Sequence, residues 1–552
     1  MRMTTGQPPR EVTIPDEPLG AALDRAAARC PERIAVDFLA GQTTYRDLAD
    51  AVARGAQALL DLGVQPGDRV ALVIPNCTAH VVAFYAVLRL GAVVVEHNPT
   101  YTAGELAHQL ADSGAVVALV WEKTVPAVLS SLTTTRLRSV IAVDLTHDLP
   151  RSSRWKLRLP VARARTVRAA MRGPLPPAFP RWHRLVAKAD PIDTAHPGPA
   201  SDDLALLQYT GGTTGTPKGA MLTHRNLVAN AVQGQAWTAA EPDTEVVYAL
   251  LPFFHAFGLT LCLSYAIRVG ATLVAFPNFD PALVLEAQQR VPGTFLPAVP
   301  PMLDRLAAAA GPGELASFRY AISGAMALPA QTAKRWEDAS GGLVIEGYGM
   351  TETSPVALGN PLTDDRRPGT LGLPFPSTQI RVVDPTDASR DVPQGERGEL
   401  LIRGPQVFAG YWQRPDDTAE QLLDDGWLRT GDVVTIDESG WVVLVDRLKE
   451  LIVSGGFKVY PSQVEDGLRL MPGVADVAVV GIPGGDLGET VVAAVVLDPG
   501  ATGVDLQSVR AWCEQRVARY ALPRRLVVLD ELPRSMVGKV LRRQVRDLVL
   551  AQ

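Results

Sequence analysis

The chain has 552 residues and a formal net charge of −6, with hydrophobic residues at 47% and charged residues at 20%. This composition excludes a disordered, collagen-like or coiled-coil chain, and the acidic balance argues against nucleic acid as a partner. The four cysteines, Cys30, Cys77, Cys262 and Cys513, form no CxxC pair, which argues against a zinc site or disulfide framework and suits a reducing cytoplasm.

The N-terminal stretch carries no apolar core of signal-peptide type. Helical periodicity over 43–62 stops at Gly63, and 69–74 reads as a buried strand ended by Pro75 and Asn76. A helix at 79–90 and strands at 92–96, 116–120 and 139–143 follow. The basic stretch 147–190 differs: Arg151, Arg154, Lys156, Arg158, Arg163, Arg165, Arg168 and Arg172 alternate with Trp155, Leu157, Leu159, Val161, Val167 and Met171. It reads either as a solvated rim insertion or as a peripheral contact with an anionic membrane.

An apolar stretch at 204–207 leads into YTGGTTGTPKG (209–219), and a helix is expected at 224–233. Glycines let backbone N–H groups approach an anion, threonines add donors and Lys218 adds charge, a set suited to nucleotide phosphates. The loop is not a Walker A loop, because Pro217 precedes the lysine and Gly219 follows it. Residues 248–267 carry no formal charge, but Pro252, His255 and Gly258 interrupt them, so a buried strand–loop–helix is expected there rather than a membrane span. Short alternating strands at 378–383, 398–402 and 441–445 suggest a β-rich subdomain. Strands at 474–481, 490–497 and 525–528 and a helix at 506–517 suggest a final α+β unit. The strand–helix alternation of the N-terminal half predicts an α/β fold with largely parallel sheets.

The eleven-residue loop resembles the signature of adenylate-forming enzymes: acyl-CoA synthetases, luciferases and adenylation domains. The resemblance continues through LPFFHAFG (251–258), SGAMALP (323–329), EGYGMTETSP (346–355), DDGWLRTGDVV (424–434), DRLKELIVSGGFKVYPSQVE (446–465) and LPRSMVGKVLRR (532–543). It is most similar to bacterial long-chain fatty acid–CoA ligases. It implies a large N-terminal domain, 1–445, of two parallel-type αβ subdomains with a β-rich subdomain at about 375–445. A hinge at 446–449 around Lys449 and a small mobile α+β domain, 450–552, complete the expected division.

The resemblance also implies roles. Thr210, Gly211, Gly212, Thr213, Thr214, Gly215 and Lys218 would hold ATP phosphates. Ser323, Gly324, Ala325, Glu346, Gly347, Tyr348 and Gly349 would wall the nucleotide pocket, with Tyr348 stacking on adenine. Thr351 would donate to the α-phosphate, and Glu352, with Thr213, would serve Mg²⁺. Asp432 and Arg447 would take the ribose hydroxyls. His255, Phe257, Gly258 and Ser323 would face the acyl group. His255 is expected to line the pocket and not to act as a general base, because a carboxylic acid is already ionised at pH 7. Gly455 and Gly456 would let the pantetheine arm of CoA pass, although Val453 stands where some members carry a lysine. Lys539 would place its ammonium between the substrate carboxylate and the α-phosphate.

The implied reaction joins a fatty acid to CoA through an acyl-adenylate, with ATP, CoA and Mg²⁺ required. A tunnel lined by residues 250–267, Leu296, Val299 and Met302 would read chain length. Medium-chain or aryl acids, or delivery to a carrier-protein thiol, are the enzymatic alternatives. A membrane-docked fatty-acid or nucleotide binder is the non-enzymatic one. The expected location is the cytoplasm, with peripheral contact at the inner membrane face and a homodimer left open.

Overall fold

The computed structural model describes residues 8–210, 217–454, 457–484, 488–535 and 538–552. A hairpin of β1 (Ile34–Phe38) and β2 (Gly41–Thr44) is followed by β3 (Arg69–Val73), β4 (Val93–Glu96), β5 (Val117–Trp121) and β6 (Ser139–Val143). Next come β7 (Leu204–Tyr209), β8 (Gly219–Thr223), β9 (Val246–Ala249), β10 (Thr272–Ala275), β11 (Phe295–Ala298), β12 (Tyr320–Ser323) and β13 (Leu343–Gly349). Two short strands, β14 (Val356–Gly359) and β15 (Leu373–Pro374), precede β16 (Gln379–Asp384), β17 (Asp387–Asp391), β18 (Gly398–Arg403), β19 (Leu428–Ile436) and β20 (Val442–Arg447). The C-terminal unit holds β21 (Ile452–Ser454), β22 (Phe457–Val459), β23 (Val474–Pro483), β24 (Glu489–Leu497) and β25 (Arg525–Val528).

Among the described residues these strands build a nine-stranded sheet in the order β15-β14-β13-β12-β11-β9-β10-β1-β2 and a six-stranded sheet in the order β6-β5-β3-β4-β7-β8. A five-stranded antiparallel sheet, β17-β16-β18-β19-β20, and the C-terminal β23-β24-β25 and β21-β22 sheets complete the fold. The two large sheets are parallel in their interiors, as expected for an α/β chain. Helices Thr78–Arg89 and His224–Thr238 are buried on nearly every side. Their side chains join residues of both large sheets in one core with Leu72, Phe84, Leu206, Phe253, Tyr265 and Phe295. A helix buried on all sides belongs between layers, and where its side chains are polar, as at Asn226, Asn230 and Gln233, they are hydrogen-bonded.

Several expectations shift. The helix predicted over 43–62 runs Tyr45–Asp61, because Gly41–Thr44 pairs with β1 and Thr44 then caps the helix, accepting from the Asp47 backbone N–H. The helix expected at 506–517 ends at Cys513. The 248–267 window resolves into the end of β9, a turn capped by His255, a π-helical stretch Leu259–Ser264 and helix Tyr265–Val269. No helix among the described residues is long and apolar enough to cross a membrane. Along β11, Phe295 joins the inter-sheet core, whereas Leu296 packs with Tyr248, Phe318 and Trp336 on the other face. Strand alternation therefore separates Leu296 from Phe253, Phe257 and Val299, with which it was grouped as a tunnel residue.

Candidate functional site

Strands β9, β11, β12 and β13 run parallel, so their C-terminal ends share one rim of the nine-stranded sheet. Such a rim is where open α/β sheets collect ligand-binding turns. Three expected segments meet there. Ser323 ends β12, Glu346 to Gly349 end β13, and His255 opens the turn that follows β9. The turns touch. A Cβ at Gly324 would lie 3.0 Å from the Phe257 ring and 3.3 Å from the Gly347 carbonyl. One at Gly258 would sit 2.2 Å from the Pro252 carbonyl, and one at Gly349 would sit 1.8 Å from the Pro355 carbonyl. Only glycine allows the approaches at Gly258 and Gly349, while a side chain at Gly324 would have to push the Phe257 ring aside. Ala325 takes φ of 68°, a left-handed conformation that its methyl disfavours.

Ser323 is buried, and its Oγ has no protein partner among the described residues. A buried hydroxyl without a partner is costly unless something else satisfies it. The Phe257 N–H donates to His255 Nδ1 at 3.3 Å. Burial lowers the His255 pKa to about 4, so the imidazole is neutral at pH 7. Burial likewise raises the carboxyl of Glu346, whose Oε2 accepts from the Gly369 N–H at 2.8 Å. A cavity of about 310 Å³ opens on the flank beside Glu346, lined by Leu328, Ala333, Asn360 and Pro368.

The strands that flank the expected phosphate loop, β7 and β8, pair antiparallel. Tyr209 pairs with Gly219, and the Thr210 N–H donates to the Lys218 carbonyl at 2.9 Å. The helix expected at 224–233 begins at His224 as expected and runs on to Thr238, with β8 between it and the loop. Gly211, Gly212, Thr213, Thr214 and Gly215 lie outside the described residues, as do Gly455 and Gly456. Lys218 pairs with Asp417, and its ammonium lies 5.2 Å from the centroid of the Tyr411 ring. The Tyr411 hydroxyl donates to Glu352 Oε1. Glu352 follows Thr351 in the short Thr351–Thr353 turn. Burial raises the Glu352 pKa, which Tyr411 and Lys218 partly offset. Asp112 holds the base of the hairpin, accepting from the Tyr209 hydroxyl at 2.7 Å, while its carbonyl takes the Trp412 indole N–H at 3.2 Å.

Asp432 on β19 stands opposite Arg447 on β20. Its Oδ2 accepts from the Tyr348 hydroxyl at 2.5 Å, and its Oδ1 faces Arg447 Nε at 3.2 Å. Each carboxylate oxygen thus spends one acceptor site on protein and keeps another for a ligand. The Tyr348 hydroxyl orients the carboxylate that was expected to bind ribose, a link that sequence reading missed.

The C-terminal unit delivers one more cation. A Cβ at Gly538, which has φ of 80°, would lie 3.5 Å from Met326 Sδ and 3.7 Å from Pro301 Cγ, so this loop rests against the SGAMALP turn. Lys539 is half-buried and feels Arg447, Glu450, Asp432 and Arg542. Burial, followed by Arg447, brings its pKa down to about 8. Lys449 is exposed on a turn at Leu448–Glu450, between β20 and β21. Sequence reading also missed Tyr411, Asp417 and Asp112. All three act through contacts across more than fifty residues of chain, and no local pattern signals them.

No group of three or more His, Cys, Asp or Glu side chains among the described residues could hold a metal by itself. A single buried carboxylate at Glu352 fits a Mg²⁺ that takes its remaining ligands from phosphate oxygens and water.

The family model of AMP-binding enzymes matches residues 23–412, and that of the AMP-binding enzyme C-terminal domain matches 463–539. A long-chain-fatty-acid–CoA ligase of Bacillus subtilis (strain 168) is 34% identical over 98% of this chain and 96% of its own length. A feruloyl-CoA synthase of an Amycolatopsis species is 36% identical over 96% of this chain and 98% of its own. Among solved structures, ATP-bound MatB from Rhodopseudomonas palustris superimposes with a TM-score of 0.83 at 31% identity, covering 97% of this chain and 99% of that one.

Proposed function

Because the chain belongs to the AMP-binding enzyme family, we propose that it is an AMP-forming acid–CoA ligase whose preferred acid is a long-chain fatty acid. The observation that carries this reading is half-buried Lys539, next to Gly538, which lies against Met326 and Pro301 of the large unit, and within electrostatic reach of Arg447 and Asp432.

The chemistry follows from charge. A carboxylate must attack the α-phosphorus of ATP although both are anionic. The Lys539 ammonium lies between them and stabilises charge at phosphorus as it builds. Tyr348 offers its ring to adenine and its hydroxyl to Asp432, which takes the ribose hydroxyls together with Arg447. Thr351 donates to the α-phosphate, and Lys218 exchanges Asp417 for the outer phosphates. Glu352 would hold Mg²⁺, which supplies positive charge to the phosphates when bound. The Ser323 hydroxyl gains the partner it lacks. Neutral His255, with Phe257 and Gly258, walls the reacting carboxyl.

The products of this first half are acyl-adenylate and pyrophosphate. The C-terminal unit then turns about Lys449, withdraws Lys539, and lets the CoA thiol attack the mixed anhydride to give thioester and AMP. A reducing cytoplasm suits its four cysteines, none of them in a CxxC pair, and is the location this reading proposes. The Amycolatopsis relative supports an aryl acid as a second substrate class. A panel of saturated acids of graded length and one hydroxycinnamic acid, assayed for AMP release with CoA or a carrier protein, tests the proposal. AMP release should peak with long saturated acids and require CoA. A peak on the aryl acid would replace the substrate, and release only with carrier protein would replace the acceptor.

A further inference from the structure

The basic segment takes no part in the site just described. It folds as two short helices, Arg151–Lys156 and Ala162–Met171. Its base is fixed. Buried Glu122 pairs with Arg181 at 3.0 Å and with Arg172 at 3.0 Å, and the Trp121 indole N–H donates to the Met171 carbonyl at 2.9 Å. A Cβ at Gly173 would meet the Glu122 carbonyl at 2.4 Å, so the backbone is pressed onto the end of β5.

Its tip is different in kind. Trp155 is 63% exposed, Val161 52% and Val167 40%. Around them Arg151, Lys156, Arg158, Arg163 and Arg165 are exposed, and none has a carboxylate within 4.0 Å among the described residues. A net-acidic protein has here gathered cations that neutralise nothing of its own and set them around apolar side chains that nothing covers. Exposed tryptophan and aliphatic side chains lose free energy in water and recover it at a headgroup boundary. Arginines at the same level attract anionic headgroups. Each half of this pattern argues against another occupant. Like charges would repel a second copy meeting the same face, and a polyanion in water would leave Trp155 and Val161 uncovered.

We infer that this helix pair docks the protein on an anionic lipid surface, with Trp155, Val161 and Val167 entering the headgroup layer and Arg158, Arg163 and Arg165 binding lipid phosphates. The inference does not depend on the ligase reading, since binding is measured without substrates.

Flotation of the full chain with phosphatidylcholine vesicles, with and without phosphatidylglycerol, tests it. Binding should require phosphatidylglycerol and fall at high salt. The charge-reversed variant R158E/R163E/R165E should bind at least about a hundredfold more weakly, since loss of each basic residue alone costs about fivefold. Trp155→Ala should weaken binding by about tenfold with its charges intact. Both variants should keep the parental melting temperature and the parental turnover of a dissolved short acid. No flotation of the parent, or undiminished flotation of the charge-reversed variant, overturns the inference. So does a dimer in solution that the same three changes dissociate, or heparin binding without vesicle binding.

Discussion

Asp432 shows how one carboxylate is prepared before a ligand arrives. Tyr348 and Arg447 fix its two oxygens from opposite sides, so ribose would meet an acceptor pair that is already oriented. Tyr348→Phe leaves the ring and removes the donor, and should raise the KM for ATP about tenfold with little change in kcat, at about 1–3 kcal/mol for a lost charged hydrogen bond. An ATP titration at saturating acid and CoA reads this, and an unchanged KM would show that Asp432 needs no such support. Lys539 carries the clearest pH signature. In the proposed reaction the charged ammonium is the form that bridges two anions, and burial brings its pKa down to about 8. The kcat/KM for adenylation should therefore hold below pH 8 and fall as pH rises through 8, because kcat/KM reports the free enzyme. A profile flat until the ordinary lysine range, about 10.4, would remove Lys539 from the attacking step.

At the level of elements, the site depends on turns packed more tightly than any side chain permits. Gly349 lets the end of β13 lie against the Pro355 carbonyl, where a methyl would stand at 1.8 Å. Gly349→Ala should destabilise the large unit by about 1–3 kcal/mol, lower its melting transition and displace Tyr348 and Thr351, so that ATP affinity and stability fall together. An unchanged melting curve would show that the turn relaxes freely. These elements were only partly legible in sequence. Period and composition showed β3, β4 and helix Thr78–Arg89, because buried parallel strands and inter-layer helices are apolar throughout. They did not separate β2 from the helix it precedes, nor place β8 between the phosphate loop and helix His224–Thr238. Both are short polar-edged strands defined by a partner and not by their own pattern. The motifs EGYGMTE and TGD drew attention to Tyr348 and Asp432, which the fold joins, whereas Tyr411 and Asp417, which hold Glu352 and Lys218, were invisible until folding joined them.

For the whole molecule, the account requires one chain to present two arrangements of its C-terminal unit. In the arrangement seen, Asp446 accepts from the Ser462 N–H at 2.8 Å, and Arg542 joins Glu450 to Glu465, so the segment around exposed Lys449 is bracketed by ties rather than packed into a core. Proline fixes φ near −65°. Lys449→Pro should therefore spare adenylation and slow thioester formation by a hundredfold or more, as single-turnover measurement of each half-reaction would show. Equal rates for both halves would mean that no turn occurs there. The most direct test measures exchange of labelled pyrophosphate into ATP without CoA, in the parent and in Lys539→Ala. The account predicts exchange in the parent only when a fatty acid is present, and a loss of about 10²–10³-fold in the variant, which should still convert supplied acyl-adenylate and CoA to thioester near the parental rate. Acid-independent exchange, or equal loss of both half-reactions in the variant, would contradict it.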